Sequence, residues 1–263
     1  MKKFVGSFSL LRLLIAISIV AITSGFQKLS AQVYWTEAPH VNGTYPAPFR
    51  YVGKIYALWP DGWAESTGFL VGENRVMTAA HAVYRPGVGV PTVLTFTPGA
   101  FGNNAPFGSA NATKYWIPRA WLENWPDSEK AMFDVATFQI SQNLGHRTRG
   151  WFNLKDFNTE EFRGPIAGYG PSFLNPNRVR VTSAGPFRAR SYDDGNLRDK
   201  LDSRRYTWFA AGGAQGGRSG SPLFINNNGR YDVYGVYTRG DDGNPQYIYG
   251  VKITRQLRTA LGF

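Results

Sequence analysis

A glycine-rich stretch in the second half of the chain carries two serines whose hydroxyls could act as nucleophiles. It reads AAGGAQGGRSGSPLF and contains Ser219 and Ser221. Its glycines allow backbone angles that other residues avoid, and they leave N–H groups free to face a ligand. A serine hydroxyl reacts readily only when a base removes its proton. The stretch therefore predicts that a base and an orienting acid lie elsewhere in the chain.

Two other functions for this stretch conflict with its surroundings. Residues 212–219 match the spacing of a phosphate-binding loop, with Arg218 where lysine is required. Such a loop leads directly into a helix whose N-terminus binds the anion, whereas Pro222 and a β-type run follow here. Apolar strand sequences flank the glycines closely on both sides, which argues against a flexible linker.

The chain has three histidines, and one of them stands in the setting that a catalytic base needs. His40 lies in a proline-rich lead-in and His146 in a basic segment without periodicity, so both are expected at the surface. His81 stands near the end of the apolar strand-like run VMTAAHAV, where a histidine would be half-buried and held in place. Taken alone, a histidine in such a run is more often structural than catalytic.

The acid that orients a catalytic histidine must itself be partly buried, and few aspartates of this chain stand in a sequence that would bury them. Asp134 begins DVATFQI, a predicted strand whose following residues are typical of a core. The other candidates lie in polar loop sequences: Asp127, Asp193, Asp194, Asp241 and Asp242. His81, Asp134 and a serine of the glycine-rich stretch are therefore the candidates for nucleophilic catalysis.

Short β-type runs separated by turn residues must position these side chains. With 30 glycines, 16 prolines and 15% aromatic residues, the composition favours an all-β fold. We expect an N-terminal half at 51–150 and a C-terminal half at 151–263, preceded at 32–50 by an extended lead-in or propeptide. A linker is expected around 141–150, and a hairpin turn in INNNGR. The tail TRQLRTALGF reads as a helix with Thr254 as its N-cap.

The first 31 residues have the layout of a secretory signal peptide. Lys2 and Lys3 precede an apolar run at 13–22, and small residues follow it. The apolar run is about half of the roughly twenty residues that a membrane span needs. We therefore expect export with cleavage after Ala31 or after Gly25, and no stable membrane association afterwards.

Charge and cysteine content narrow the function classes further. The chain has no cysteine, which excludes thiolate catalysis and cysteine-bound metal. Its formal net charge is +11, and four of its cations fall within residues 1–31. Arginines between 178 and 205 are mixed with aspartates, so a basic surface is expected rather than a nucleic-acid groove. No acidic loop has convincing calcium-ligand spacing, and neither a metal nor a cofactor is predicted.

The blocks TAAHAV, DVATFQI and GGRSGSP resemble the three signature blocks of chymotrypsin-fold (trypsin-like) serine proteases, in the same order of His, Asp and Ser. The Gly-Ser-Pro ending, the lack of cysteine and the GYG element at 168–170 are most similar to the secreted bacterial glutamyl-endopeptidase branch. The similarity extends from about Tyr51 to the C-terminal helix. It implies two antiparallel β-barrels of the chymotrypsin type with a short C-terminal helix.

The resemblance implies a role for each matching residue. Ser219, directly before Gly-Ser-Pro, would attack the scissile carbonyl, and Ser221 would be structural. His81 would take the proton of Ser219 and pass it to the leaving amine, while Asp134 would hold the imidazole in the useful tautomer. The N–H groups of Gly217 and Ser219 would form the oxyanion hole.

The family pattern also places the substrate-binding residues. They would be Gly213, Ala214, Tyr237, Thr238, Arg239 and Gly240. Thr238 would lie on the strand that pairs with the substrate backbone, and its hydroxyl would either support Asp134 or serve the strand alone. Arg239 would either attract an acidic side chain or simply be exposed.

Two departures from the family pattern concern specificity and activation. The glutamyl endopeptidases have a histidine where Tyr237 stands and a hydroxyl residue near Ala214, so a preference for glutamate is not implied. Gly213 replaces the aspartate that gives trypsin its preference for basic residues. Arg218 stands where the animal enzymes have an aspartate that pairs with a newly freed N-terminus, so that switch is expected to be absent. A cleavage after Arg50 is a further hypothesis, suggested by the FR–YVG junction.

These features predict a secreted serine endopeptidase that works through a His-Asp-Ser triad and an acyl-enzyme intermediate. The enzyme would act on a protein or peptide substrate. It would be located outside the cell or in the periplasm, and it would be a monomer. The alternative is a non-catalytic protease-like β-barrel that binds peptide or cell-wall polymer, and three intact triad positions argue against it. A nucleic-acid binder would need a contiguous cationic face, which the mixed charges do not support.

Overall fold

Two groups of antiparallel strands make up the part of the chain that a computed structural model describes. The described residues are 35–123, 130–159, 161–170, 177–182, 187–189, 207–211, 216–240 and 247–263. All of them belong to one compact unit, Gln32–Phe263. The predicted signal peptide at 1–31 and the predicted pocket residues Gly213 and Ala214 lie outside the described residues.

Strands form most of the regular structure and are numbered in chain order. They are β1 (Trp35–Glu37), β2 (Val52–Trp59), β3 (Gly62–Leu70), β4 (Arg75–Thr78), β5 (Val93–Pro98), β6 (Ala110–Trp116), β7 (Ala136–Ile140), β8 (Asn153–Leu154), β9 (Glu161–Phe162), β10 (Ala167–Tyr169), β11 (Val179–Thr182), β12 (Phe187–Ala189), β13 (Thr207–Ala211), β14 (Pro222–Asn227), β15 (Arg230–Gly240) and β16 (Tyr247–Lys252). The helices are α1 (Arg119–Leu122), α2 (Leu144–Thr148) and α3 (Arg255–Ala260), and the 3-10 turns are η1 (Phe49–Tyr51), η2 (Ala80–Ala82) and η3 (Ala131–Phe133). None of the helices within these described ranges is long and apolar enough to cross a membrane.

The N-terminal half closes into a barrel of six strands in the order β2-β3-β4-β7-β6-β5. Side chains that point inward alternate along each strand and fill the barrel, so its centre is a packed core. The fully buried members include Ile55, Phe69, Val76, Phe96 and Phe138. Closure leaves no free strand edge in this half, so the ends of its strands are rigid supports for side chains.

The C-terminal half consists of two sheets. The larger has the order β14-β15-β16-β13-β12-β9, with β8 parallel to β15, and the smaller has the order β1-β11-β10. A β-bridge between Ile166 and Leu223 connects them. The first strand of the smaller sheet comes from the lead-in, so Trp35–Glu37 is built into the C-terminal half rather than lying apart from it.

Local sequence signals correctly predict several of these features. The hairpin between β14 and β15 turns at Asn228 and Gly229, whose φ values of 52° and 84° are those of a type I′ turn. The C-terminal helix α3 begins after Thr254, whose side chain accepts a hydrogen bond from the Leu257 N–H at 3.2 Å. The all-β class and the short C-terminal helix are confirmed.

Two strand boundaries differ from the sequence prediction, and the expected linker contains a helix. Strand β4 ends at Thr78, so His81 lies on η2 and not on the strand. Strand β7 begins only at Ala136, so Asp134 precedes it directly after η3. The small residues before His81 allow the chain to turn as soon as the strand pairing ends. The expected linker contains α2, whose residue Leu144 is fully buried and holds the segment against the core.

Candidate active site

His81 and Asp134 meet where the paired strands β4 and β7 end, beyond the last pair of Thr78 and Ala136. Asp134 Oδ2 lies 2.7 Å from His81 Nδ1. Asp134 Oδ1 accepts a hydrogen bond from the His81 backbone N–H at 2.9 Å. Both carboxylate oxygens therefore contact one residue, which fixes the orientation of the imidazole. Because Nδ1–H donates to the carboxylate, Nε2 keeps the lone pair that a general base uses.

The electrostatic environment makes His81 a stronger base than a free imidazole. Its side chain is 40% exposed, whereas that of Asp134 is 8% exposed. Burial by itself would lower the pKa of His81, but the charge of Asp134 and its hydrogen bond raise that pKa above its ordinary value. Arg239 and Arg85 oppose this rise. The carboxylate also stabilises the imidazolium that forms when His81 accepts a proton.

Thr67 on β3 attaches the glycine-rich turn to the N-terminal barrel. Its N–H donates to the Ser219 carbonyl at 2.8 Å, and its hydroxyl donates to the Gly217 carbonyl at 2.9 Å. The Thr67 carbonyl in turn accepts from the hydroxyl of Thr78 at 2.7 Å. Since Thr78 is three residues before His81, these bonds connect the serine turn to the strand end that carries the histidine.

Gly220 lets the turn approach the barrel this closely. Its φ is +91°, a conformation that residues with a side chain rarely adopt. A Cβ at this position would lie 2.0 Å from the Thr67 carbonyl oxygen and 2.2 Å from Thr78 Oγ1. The Gly220 N–H donates to the Tyr237 carbonyl at 2.7 Å, which attaches the other side of the turn to β15.

The two serines of the turn have different surroundings. Ser221 is fully buried, and its hydroxyl donates to the Arg218 carbonyl at 2.6 Å, so it holds the turn together. Ser219 is half-buried, and its hydroxyl donates to the Thr238 carbonyl at 2.9 Å. Across the residues that the structure describes, no hydrogen bond joins Ser219 to His81. For His81 Nε2 to take its proton, the hydroxyl would first have to leave the Thr238 carbonyl.

The backbone around Ser219 offers two donors to an incoming anion. Within the described part of the chain, neither the Gly217 N–H nor the Ser219 N–H has a hydrogen-bond acceptor. Gly217 has a φ of +79°, and its carbonyl faces the Thr67 hydroxyl. Two available N–H groups beside a nucleophile are the arrangement that stabilises a developing oxyanion.

Thr238 contributes its backbone, and not its hydroxyl, to the site. The hydroxyl donates to the Tyr249 carbonyl at 3.5 Å, so the expected support of Asp134 by this hydroxyl is not found. The Thr238 carbonyl is the group that contacts Ser219. Both Thr238 and its neighbour Tyr237 are almost fully buried, so their side chains present little surface to a substrate.

Among the predicted pocket residues that the structure describes, the one with a charged side chain lies near the end of β15. Arg239 is exposed, and its guanidinium carbon lies 5.9 Å from the ring centroid of Tyr249. Gly240, the last residue of the strand, is half-exposed. The charge of Arg239 also lowers the pKa of His81, so this arginine lies close enough to influence the imidazole.

The other two histidines are surface residues, as predicted. His146 pairs with Glu73 at 3.1 Å and has a side chain that is 63% exposed. His40 pairs with Glu37 at 3.4 Å. In the parts of the chain that the structure covers, no three His, Asp or Glu side chains are arranged to ligate a metal ion.

Thr67 is a site residue that sequence reasoning missed. Besides its two bonds to the serine turn, its hydroxyl accepts from the Tyr169 N–H at 2.9 Å. It therefore joins β3, the serine turn and the GYG segment at 168–170. A threonine in a strand carries no sequence signal for such a role, because all of its partners lie far away along the chain.

Comparison with known proteins identifies related sequences. Residues 44–257 match the family model described as Trypsin. The chain is 28% identical over 226 residues to glutamyl endopeptidase of Bacillus licheniformis, covering 82% of this chain and 63% of that protein. It is 27% identical over 125 residues to a Bacillus subtilis protein named extracellular metalloprotease, covering 47% of this chain and 38% of that protein. The chain thus spans less than two thirds of the length of these curated relatives.

Solved structures share the fold. One is the structure of Glu endopeptidase in complex with MPD, with a TM-score of 0.65 and 18% identity, covering 86% of this chain and 94% of that one. Another is protease Anisep from Arthrobacter nicotinovorans, with a TM-score of 0.66 and 20% identity, covering 83% and 98%. The predicted chymotrypsin-type pair of β-barrels is thereby confirmed. Because the family match extends over most of the chain and both strand groups, the chain belongs to the trypsin family of serine proteases.

Proposed function

We propose that this protein is a secreted serine endopeptidase that cleaves peptide bonds through His81, Asp134 and Ser219. One observation carries the proposal: both oxygens of Asp134 contact His81 beside the end of β4, and Thr67 links that strand end to the Ser219 turn through hydrogen bonds. The 28% identity to a glutamyl endopeptidase supports peptide hydrolysis as the reaction. Thr238, which contacts the Ser219 hydroxyl, completes the immediate surroundings of the nucleophile.

The proposed reaction begins when the Ser219 hydroxyl turns from the Thr238 carbonyl to His81 Nε2. His81 takes the proton while the serine oxygen attacks the scissile carbonyl, and Asp134 stabilises the imidazolium. The N–H groups of Gly217 and Ser219 stabilise the oxyanion, an effect of about 3–4 kcal/mol per donor in related enzymes. His81 then gives its proton to the leaving amine. Water takes the place of the amine: His81 removes a proton from it, its oxygen attacks the acyl carbon, and His81 returns the proton to Ser219 Oγ as the ester bond breaks and the acid product leaves.

Export is part of the proposal. It is supported by the charged start, apolar run and small residues of the first 31 positions, and by the word extracellular in the name of one relative. The protein would act as a monomer on protein or peptide substrates, outside the cell or in the periplasm. Expression in a secreting host and assay of the culture medium tests this, because activity confined to the cell membrane fraction would contradict it.

The mechanism is tested by comparing Ser219→Ala with Ser221→Ala in the secreted protein. Casein cleavage and labelling by a fluorophosphonate are the measurements, with a metal chelator present in parallel samples. We expect Ser219→Ala to lose labelling and at least about 10⁴-fold in cleavage rate. Ser221→Ala removes a buried hydroxyl of the same turn but leaves the nucleophile, so it should still be labelled.

The remaining outcomes separate the alternatives. Equal cleavage by Ser219→Ala and the unchanged protein would refute the serine mechanism, and loss of cleavage with chelator alone would point to a metal. If no variant, including the unchanged protein, cleaves casein or reacts with fluorophosphonate, the non-catalytic barrel that binds peptide or cell-wall polymer is favoured.

A further inference from the structure

Arg218, the residue directly before Ser219, is buried in the centre of the catalytic turn. It is 2% exposed, and burial lowers its pKa to about 10. Its carbonyl accepts both the N–H and the hydroxyl of Ser221, at 3.0 and 2.6 Å. A buried guanidinium is costly to desolvate unless other groups compensate it. The groups that surround the Arg218 guanidinium therefore matter for the stability of this turn.

Trp35 supplies a large part of that environment. The guanidinium carbon of Arg218 lies 3.8 Å from the ring centroid of Trp35, so the planar cation stacks on the indole face. The indole also contacts the ring of Tyr237 edge-on, with centroids 6.3 Å apart and an interplanar angle of 82°. The Tyr237 carbonyl is the acceptor for the Gly220 N–H. Trp35 therefore contacts Arg218 directly, and it also contacts Tyr237, whose carbonyl binds the Gly220 N–H.

The position of Trp35 is set by strand pairing. Trp35 pairs with Thr182 at the start of β1, opposite β11. The Ala38 N–H donates to the Val179 carbonyl, and the hydroxyl of the buried Tyr45 accepts from the Val179 N–H, both at 2.9 Å. The lead-in thus holds the indole against the turn through contacts on both sides of residue 38.

The stacking is linked directly to one of the two proposed oxyanion donors, the Ser219 N–H. Peptide planes are rigid, so the orientation of the Arg218 Cα decides where the carbonyl of Gly217 and the N–H of Ser219 point. A side chain fixed on the indole restricts that orientation. The Ser219 N–H is then directed before substrate binds, and a preorganised donor is one that lowers the barrier.

We propose that Trp35 is a positioning residue which holds Arg218 and thereby the oxyanion turn, and that the active enzyme must keep the segment that carries it. The inference rests on the proposed function. It also argues against a cleavage after Arg50, because the 50–51 bond lies within η1, where the Tyr51 N–H donates to the Pro48 carbonyl at 2.9 Å. Removal of residues before Tyr51 would take the indole away from Arg218.

The test compares Trp35→Leu and Trp35→Phe with a matched variant at a second Arg–Trp stack. In that control, Trp116→Leu, the lost indole lies 3.2 Å from the guanidinium carbon of Arg75 in the other barrel. We expect Trp35→Leu to lower kcat for a peptide substrate by about tenfold or more, with KM changed less than about twofold. Trp35→Phe keeps an aromatic face and should recover most of kcat. Trp116→Leu should lower the melting temperature and leave kcat unchanged.

Two results would overturn the inference while the unchanged protein remains active. One is wild-type kcat in Trp35→Leu, and the other is a Trp35→Phe variant as slow as Trp35→Leu. If the unchanged protein neither cleaves nor labels, the proposed function itself fails, and the inference with it.

A double-mutant cycle covers the case in which Trp35→Leu does not fold. Trp35→Met and Arg218→Met, which each remove one side of the stack but keep an unbranched side chain, are combined, and a stacked pair predicts that their effects on kcat are not additive. Additive effects on kcat would show that Trp35 and Arg218 do not act through their stacking contact. N-terminal sequencing of the secreted active protein is expected to find a start before Trp35, and a fully active form that starts at Tyr51 would refute the proposal.

Discussion

At the scale of single residues, Asp134 controls both the orientation and the basicity of His81. The neutral imidazole is the base in the proposed reaction, and its protonated form is inactive. Asp134 raises the pKa of His81 above the ordinary value of 6.5, against the opposing effect of burial. The reaction rate should therefore rise with pH as His81 loses its proton. This acid limb of the pH profile should lie above pH 6.5, and its position should depend on the charge of Asp134.

Substitution of this carboxylate should change the pH profile. We expect Asp134→Asn to move the acid limb of kcat/KM to lower pH and to lower its plateau by about 10⁴-fold, because the amide carries no charge and favours the wrong tautomer. Rates measured from about pH 5 to 9 give both effects. Glu73→Gln, which removes the partner of the surface residue His146, is the control and should leave the limb in place. An unmoved limb in Asp134→Asn would contradict the assignment.

At the scale of elements, the serine turn depends on a glycine that brings two backbones together. Gly220 combines a φ of +91° with a position where a Cβ would overlap the Thr67 carbonyl. A side chain at position 220 would strain the backbone and overlap Thr67, and Thr67 is the residue whose N–H binds the Ser219 carbonyl. Stability and nucleophile reactivity should therefore fall together when this residue acquires a side chain.

Gly220→Ala tests this dependence. We expect a loss of more than about 2 kcal/mol in the free energy of unfolding and greatly slowed fluorophosphonate labelling, because the turn must move away from β3. Urea unfolding and labelling rates are the measurements. In the control Gly72→Ala, the new Cβ would meet only Arg75 Cβ at 3.4 Å, so both quantities should stay close to wild type. Normal labelling in Gly220→Ala would show that the turn tolerates displacement.

At the scale of the whole molecule, the C-terminal helix α3 is fastened to the N-terminal barrel by Arg75. Its Nε and Nη2 donate to Thr137 Oγ1 at 3.0 and 2.7 Å, and Nη2 also donates to the Leu261 carbonyl. The guanidinium stacks on Trp116, and burial lowers its pKa to about 10. One side chain thus connects the end of the chain to the first barrel.

Loss of this connection should destabilise the protein without changing the chemistry. We expect Arg75→Gln to lower the free energy of unfolding by about 2 kcal/mol, because charged hydrogen bonds and a half-buried stack are lost together. Thermal and urea unfolding give the value. Arg119→Gln removes an arginine whose side chain is 89% exposed and should change stability by less than about 0.5 kcal/mol. Equal stability of the two variants would contradict this role for Arg75.

Short-range patterns in the sequence indicated the proposed chemistry and much of the architecture. The triad candidates stand in blocks whose small and apolar residues are adjacent along the chain, so His81, Asp134 and Ser219 could be named without a structure. The Asn-Gly hairpin and the Thr254 cap are equally local, since a few neighbouring residues decide their conformations. The strand ends beside His81 and Asp134 were predicted less well, because pairing between β4 and β7 decides where each strand stops.

Only the tertiary structure decided how the catalytic turn is held. Thr67 and Gly217 are 150 positions apart, and Trp35 and Arg218 are farther apart still, so no local pattern connects them. The same reason explains why the Thr238 carbonyl, and not its hydroxyl, contacts Ser219. The sequence by itself determined which side chains could react, because reactivity follows residue type and immediate neighbours. Their support depends on long-range packing, which exists only once both strand groups have formed.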